Sequence, residues 1–250
     1  MGVVGAIVDW LREYAAHAGA RGYVFGLSGG IDSACVAALC LRAMGRRNVL
    51  ALWLPCHSSS QDGEMASLVA GSLGLKMVTV DLAPAYDALV AALPKTSKMA
   101  RANLKPRLRM ATWYAMAHTR GYLVAGGGNK TEILAGYYTK YGDAGVDLLP
   151  LGDLYKCQVR ELAHELGVPQ AVIERPPSAG LWSGQTDEAE MGITYPELDA
   201  ALAAIVGGSP DRLDPEVLTK VRRMVESSAH KRALPPVWHA ETWTTNGEAG

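Results

Sequence analysis

The stretch YVFGLSGGIDSACVAALC, Tyr23 to Cys40, joins an apolar strand-like run, Tyr23 to Leu27, to a mostly apolar helical run through Ser28-Gly29-Gly30. A strand that delivers two glycines onto a helix N-terminus gathers backbone N–H groups around one small volume. The helix end adds about half a positive charge there. That is a cradle for phosphate. Asp32 cannot touch phosphate directly, because a carboxylate repels it. A divalent cation between the two removes the conflict, since Mg²⁺ takes one or two carboxylates plus phosphate oxygens. By themselves the same residues also read as an ordinary strand-to-helix turn with an aspartate near the helix start. The stretch matches neither the G-x-x-x-x-G-K-S/T phosphate loop nor the dinucleotide G-x-G-x-x-G, so γ-phosphoryl transfer and hydride transfer both lose ground.

Further strand-like runs at 49–54, 77–80 and 122–125 alternate with helical patterns, which predicts βαβ units and a parallel sheet. Met65, Leu68, Val69 and Leu73 share a helix face that Gly74 ends. The stretch 153–166 repeats the pattern with Val159, Leu162, Ala163 and Leu166, ended by Gly167 and Pro169. Asp214-Pro215-Glu216 starts a last amphipathic helix. Residues 175–192, RPPSAGLWSGQTDEAEMG, read as one long loop, and compact domains seldom carry such loops without a use for them.

With 250 residues and 49% hydrophobic content, the chain is expected to form one domain over 1–239, followed by a flexible polar tail at 240–250. Twenty-five acids against 24 bases leave a net charge of -1, so no global field draws it to nucleic acid or to a lipid surface. Any anion site must be local. Cys35, Cys40, Cys56 and Cys157 form no C-x-x-C pair and follow no secretory leader, which suits reduced, packing thiols in a cytoplasm. No window approaches the ~18 uninterrupted apolar residues of a membrane span. His17, His57, His118, His164 and His239 have no metal-ligand spacing and read as structural.

Five other places bear chemistry. NLKPRLRM puts Lys105, Arg107 and Arg109 within five residues; on a helix, residues two apart diverge, so the two arginines reach different partners. GGGNKTEILAGYYTKYGDAGVDLLP, from Gly126, follows the strand-like run at 122–125, where open α/β sheets bind ligands. Glu132 in it is a natural second carboxylate for the cation that Asp32 requires. Lys156 in DLYKCQ and Ser178 in PPSAGL are unremarked lysine and loop serine when taken singly. His230-Lys231-Arg232 sits where cations also favour a helix C-terminus for structural reasons alone.

Taken in order, LSGGIDSA, NLKPRLRM, GNKTE, GYYTKYGDAGVDLLPLGDLYK, PPSAGLWSGQTDEAEMGITY and HKR resemble the ammonia-dependent NAD synthetases, over about Gly22 to Pro235. The resemblance implies a Rossmann-like three-layer α/β sandwich whose parallel sheet is flanked by helices. It implies that Gly26, Leu27, Ser28, Gly29, Gly30, Ile31, Asp32 and Ser33 hold ATP, with Asp32 and Glu132 on Mg²⁺. Arg109, Gly127, Lys156 and Ser178 complete the ATP site, with Asp32 and Lys156 as its catalytic residues. Arg107, Lys140, Asp147, His230 and Lys231 bind nicotinic acid adenine dinucleotide. Ammonia is the second substrate and a homodimer the expected assembly. Many members have threonine at the position of Gly127 and glycine at that of Ala144, so a weaker hold on ATP and a stiffer loop are expected. Other enzymes that split ATP to AMP and pyrophosphate, tRNA-modifying ones among them, are the nearest alternative. A nucleotide sensor without turnover is a further one. The lack of a basic patch and of paired cysteines disfavours the first, and the second carboxylate with Lys156 disfavours the second.

Overall fold

The computed structural model describes residues 2–182, 184–208 and 213–239; the tail expected at 240–250 lies outside them. The chain opens with α1 (Val3–His17), β1 (Tyr23–Gly26), α2 (Ile31–Met44), β2 (Val49–Trp53), α3 (Ser60–Leu73) and β3 (Met77–Thr79). It continues with α4 (Ala83–Ala92), α5 (Lys98–Ala102), α6 (Leu104–Arg120), β4 (Leu123–Val124), α7 (Lys130–Ala135) and α8 (Lys156–Leu166). The last elements are α9 (Gln170–Ile173), α10 (Asp187–Met191), α11 (Tyr195–Gly207) and α12 (Pro215–Ser227).

All strand pairs are parallel, in the order β3-β2-β1-β4, with Phe25 opposite Ala51 and Val24 opposite Val124. Alternation along β1 divides the core. Tyr23 and Phe25 face a cluster with Leu11 of α1, Leu39 of α2, Val69 of α3 and Leu162 of α8. Val24 faces the other side, against Leu52, Leu82, Ala117 of α6 and Val124. The sheet is thus covered on both faces, and its strands read as near-continuous apolar runs for that reason. A third cluster joins α7, α11 and α12 through Ala135, Leu198, Leu202 and Val221. Among the described residues no helix is long and apolar enough to cross a membrane.

Each strand ends one residue inside its expected limit, and β4 also starts one residue late. The helix expected from 153 starts only at Lys156, because Gly152 and Leu154 close tight turns onto Leu149 and Leu151 and Tyr155 is extended. The expected loop at 175–192 contains α10, started by Thr186, whose hydroxyl accepts the Ala189 N–H, and stopped by Gly192 at φ 65°. His230 and Lys231 lie in a 3-10 turn (Ala229–Lys231) after α12 and not within that helix. Cys35, Cys40 and Cys56 are buried as expected, whereas Cys157 is exposed.

Candidate active site

β1 delivers the chain into the turn, and the Leu27 N–H still donates to Leu52 O, 2.8 Å. The side chains of Leu27 and Ile31 are buried in the core, so these residues offer a ligand only their backbone. Gly29 has φ 79°, and a Cβ on it would sit 2.7 Å from Met65 Cβ and 2.8 Å from Ala66 N, so glycine is what lets α3 approach the turn. The space a Cβ on Gly26 would need is filled by the Trp113 ring, 2.7 Å away. Ser33 staples the turn: its Oγ accepts the Ser28 N–H, 3.2 Å, and donates to Gly30 O, 2.8 Å. Gly30 at the N-cap of α2 has no side chain to bond the first helical amides, which leaves them for an anion.

Beside this turn three helices converge on one ammonium. Lys156, the first residue of α8 and 1% exposed, donates from Nζ to Asp32 Oδ2, 2.6 Å, and to Glu132 Oε1, 3.0 Å. Its Nζ also lies 4.9 Å from the centre of the Tyr195 ring. Asn129 bonds the Asp32 carboxylate and the backbone that carries Glu132: its Nδ2 donates to Asp32 Oδ1, 2.9 Å, and its Oδ1 accepts the Glu132 backbone N–H, 3.0 Å, as the N-cap of α7. Burial works against the Lys156 charge, yet Asp32 and Glu132 outweigh it and hold the ammonium above the usual lysine range. Burial raises Glu132, with Lys156 opposing and Asp32 adding to the rise. When both carboxylates are ionised, two of them against one ammonium leave a net negative charge next to a phosphate cradle. A divalent cation suits that donor set, and Asp32 and Glu132 are the residues placed to hold it.

A second chain of bonds runs from Glu132 to the segment bearing Ser178. The Tyr195 hydroxyl lies 3.4 Å from Glu132 Oε1 and donates to Asp187 Oδ2, 3.0 Å. Asp187 Oδ1 accepts the Ala179 N–H, 2.9 Å, and the Tyr137 hydroxyl, 3.1 Å. Ser178 itself accepts the Gly180 N–H. Opposite, Arg175 pairs with Asp62 at 2.5 Å and ties the start of this segment to α3.

The residues expected to bind the dinucleotide divide. Lys140 Nζ donates to His230 O, 2.5 Å, while Lys231 Nζ donates to Gly136 O, 2.6 Å, and Tyr138 O, 2.9 Å. Arg107 donates to Lys140 O, 3.3 Å, so Arg107, Lys140, His230 and Lys231 meet. Burial lowers Lys231 against the opposing charge of Asp143. Asp147 stands apart, accepting the Val124 N–H, 2.7 Å, and the Tyr114 hydroxyl, 3.1 Å. Arg109 points away from Arg107, as their spacing implied, and donates to Leu54 O, 3.1 Å, and Ser58 Oγ, 3.4 Å, beyond the end of β2. A Cβ on Gly127 would lie 3.6 Å from Asp32 Cβ, ordinary contact, so the position has room for a side chain.

Asn129, Asp187 and Tyr195 are missing from the site read in sequence. Asn129 had a signal, an asparagine three residues ahead of Glu132 at a helix start. Asp187 and Tyr195 reach the site only through the packing of α10 and α11.

The match to known proteins extends over nearly the whole chain. The family model described as NAD synthase matches residues 3–235. The NH(3)-dependent NAD(+) synthetase of Archaeoglobus fulgidus is 50% identical over 237 residues, covering 94% of this chain and 95% of its own. Among solved structures, the NMN synthetase from Francisella tularensis superposes with a TM-score of 0.87 at 37% identity, covering 94% of this chain and 96% of that one. The NH3-dependent NAD synthetase from Campylobacter jejuni, in complex with the nitrate ion, gives 0.83 at 29% identity, covering 96% and 100%. With the family model matching residues 3–235 and a curated relative 50% identical over nearly its whole length, the chain belongs to the NAD synthase family.

Proposed function

We propose that the chain is an ATP-dependent ligase that makes NAD by amidating nicotinic acid adenine dinucleotide with free ammonia. The observation that supports it most is the meeting of Asp32, Glu132 and Lys156 at the mouth of the Ser28–Ser33 turn. A nicotinate carboxylate is a poor electrophile and its oxide a hopeless leaving group, so it must be activated. Its oxygen attacks the α-phosphorus of ATP, the bond to the β-phosphate oxygen breaks, and pyrophosphate leaves from an acyl adenylate. Ammonia then adds to the acyl carbon, a proton is lost, and AMP departs with the former carboxylate oxygen.

Mg²⁺, held by Asp32 and Glu132, would supply charge neutralisation on the triphosphate. The amides of Gly29 to Ser33 cradle phosphate oxygens, and Lys156 offsets the charge that grows on pyrophosphate as it leaves. No side chain serves as a covalent nucleophile; orientation and electrostatics suffice. Arg109 and Ser178 complete the ATP site. Arg107, Lys140 and Lys231, with His230 beside them, form a basic shelf for the anionic dinucleotide; Asp147, expected to bind it as well, stands apart from them. The loop from Tyr137 to Asp147 and that from Pro176 to Asp187, whose Asp187 is tied to Glu132 through Tyr195, would shield the adenylate from water. Pairing of two copies belongs to the same reading and rests on family likeness, whereas a cytoplasmic location rests on the cysteine pattern.

The likeness to an NMN synthetase favours one second reading, in which the mononucleotide is the acid amidated. One assay separates the readings: AMP release from Mg·ATP is followed with nicotinic acid adenine dinucleotide, with nicotinic acid mononucleotide, and with each omitted, in the presence and absence of ammonium. AMP that requires both dinucleotide and ammonium is the expected result. Preference for the mononucleotide selects the second reading, and AMP release with neither acid sinks both.

A further inference from the structure

Asp199 lies on α11 among buried hydrophobic neighbours, Leu198, Ala201 and Leu202, and is itself only 6% exposed. It forms no ion pair among the described residues. An isolated buried carboxylate is costly, so the bonds it accepts must fully use it. Oδ1 accepts the Thr131 hydroxyl, 2.5 Å, and Oδ2 accepts the backbone N–H of Cys157, 2.9 Å. The Thr131 oxygen in turn accepts the backbone N–H of Lys156, 2.9 Å.

These bonds answer a need of α8. Its N-cap, Tyr155, supplies no side-chain hydrogen bond to the first helical amides. Gln158 Oε1 accepts only the Tyr155 N–H, 2.9 Å, and the amide of the buried Lys156 has no access to water, so the first helical amides need other partners. Thr131 from α7 and Asp199 from α11 take over the capping of Lys156 and Cys157, and a negative carboxylate at a helix N-terminus is favoured by the helix dipole. Thr131 immediately precedes Glu132, and Cys157 immediately follows Lys156. One carboxylate therefore ties together the two backbone segments from which Glu132 and Lys156 project. Tyr195, four residues before Asp199 on the same helix face, backs the same pair: its hydroxyl is 3.4 Å from Glu132 Oε1 and its ring lies against the Lys156 ammonium.

We propose that Asp199 is a positioning residue for the ligase reaction: by accepting from Thr131 and from the Cys157 amide, it holds Glu132 and Lys156 at the spacing that the nucleotide chemistry uses. It touches no substrate. The role rests on the reading of Glu132 and Lys156 given above, and it matters because a displacement of about 1 Å at a reacting site can lower a rate by ~10²-fold.

The test uses the whole protein. Asp199→Asn keeps the shape and removes the charge and one acceptor; Thr131→Val cuts the same chain one bond earlier, and Thr131→Ser keeps the hydroxyl. Each is measured for kcat, for the KM of the dinucleotide, and for amide hydrogen exchange at Lys156 and Cys157 without substrate. Asp199→Asn and Thr131→Val are expected to lower kcat by about 10- to 100-fold, the range for small displacements of reacting groups. Their dinucleotide KM stays within about twofold of wild type, because uniform binding is not what they alter. Amide exchange at Lys156 and Cys157 speeds up in both. Thr131→Ser restores kcat, and the Asn/Val double variant is no slower than the worse single one, as expected for one chain of bonds. A folded Asp199→Asn enzyme with wild-type kcat overturns the proposal. Should that variant not fold, wild-type kcat in Thr131→Val overturns it equally. Wild-type enzyme that releases no AMP overturns the proposed function and this role with it; active wild type with equally active variants overturns this role alone.

Discussion

Two groups of cations among the described residues take partners of opposite kinds. Lys156 is held between Asp32 and Glu132, and Arg175 is held by Asp62. Lys140, Lys231 and Arg107 instead donate to main-chain carbonyls, His230 O, Gly136 O, Tyr138 O and Lys140 O. A carbonyl orients a cation without cancelling its charge. The first group is therefore self-compensated, with one negative charge in excess around Lys156, and it can approach a triphosphate only with a further cation. The second keeps its positive charge for an anionic ligand. Turnover and substrate affinity should separate along that line.

The largest effect is expected where compensation and chemistry coincide. Asp32→Ala and Glu132→Ala should each lower ATP-to-AMP turnover by about 10³-fold or more, on the scale seen when a preorganised charge-stabilising group is lost. Steady-state AMP assays at saturating substrates check this; rates near wild type in both variants would break the metal assignment. Lys156→Ala leaves two carboxylates facing each other without their shared cation. Breaking a buried pair in this way costs about 3–5 kcal/mol of stability. Urea unfolding should show it, and Mg²⁺ should restore part of the loss if the two carboxylates share one ion.

The carbonyl-held group should behave differently. Lys231→Ala is expected to raise the KM of the dinucleotide about tenfold, equivalent to about 1.4 kcal/mol of binding, with kcat close to wild type. A fall in kcat with unchanged KM would erase the distinction between the two groups. A smaller effect belongs to the Arg175–Asp62 pair. Burial works to raise Asp62, but hydrogen bonds from Arg175 and Ser59 outweigh it and hold the carboxyl below its ordinary value of 3.8. The stability this gives is present above that value and is lost as pH falls through the lower folded value. Arg175→Met should therefore lower stability most at neutral pH, where the pair is fully formed, and by less as pH falls through the folded value of Asp62, read by urea unfolding at several pH values.

How much of this was legible in the sequence follows the same division. The parallel sheet could be read because both of its faces are covered and its strands are apolar throughout. The cradle could be read because glycines, a carboxylate and a strand-to-helix junction fall within eight consecutive residues. Asp32 and Glu132 each announce the other, since a carboxylate beside a phosphate site requires a cation. Lys156 had no such local logic: it follows a turn, opens a helix, and meets Asp32 from 124 positions along the chain. Asp199 and Tyr195 were out of reach altogether, because nothing local marks a lone aspartate in the apolar helix YPELDAALAAIVG as the acceptor for an amide 42 positions away. The late start of α8 follows from the turns that Gly152 and Leu154 close onto Leu149 and Leu151, while the partners of its first amides come from α7 and α11. Gly127 is the converse case, legible as a departure from the family and placed by the structure with room to spare. Gly127→Thr should lower the KM of ATP by about two- to tenfold, the value of one added hydrogen bond at ~0.5–1.5 kcal/mol. This is the smallest change expected, and an unchanged KM would mean that the hydroxyl finds no partner there.

The central claim is that the triphosphate lies across the Ser28–Ser33 turn with its charge bridged to Asp32 and Glu132. It is tested most directly by the crystal structure with Mn²⁺ and a non-hydrolysable ATP analogue, with the metal located from its anomalous signal. A peak within bonding distance of one oxygen from each carboxylate, next to phosphate on the α2 N-terminus, is the expected result. A peak elsewhere, or the two carboxylates still closed on Lys156 with nucleotide bound away from the turn, would contradict it.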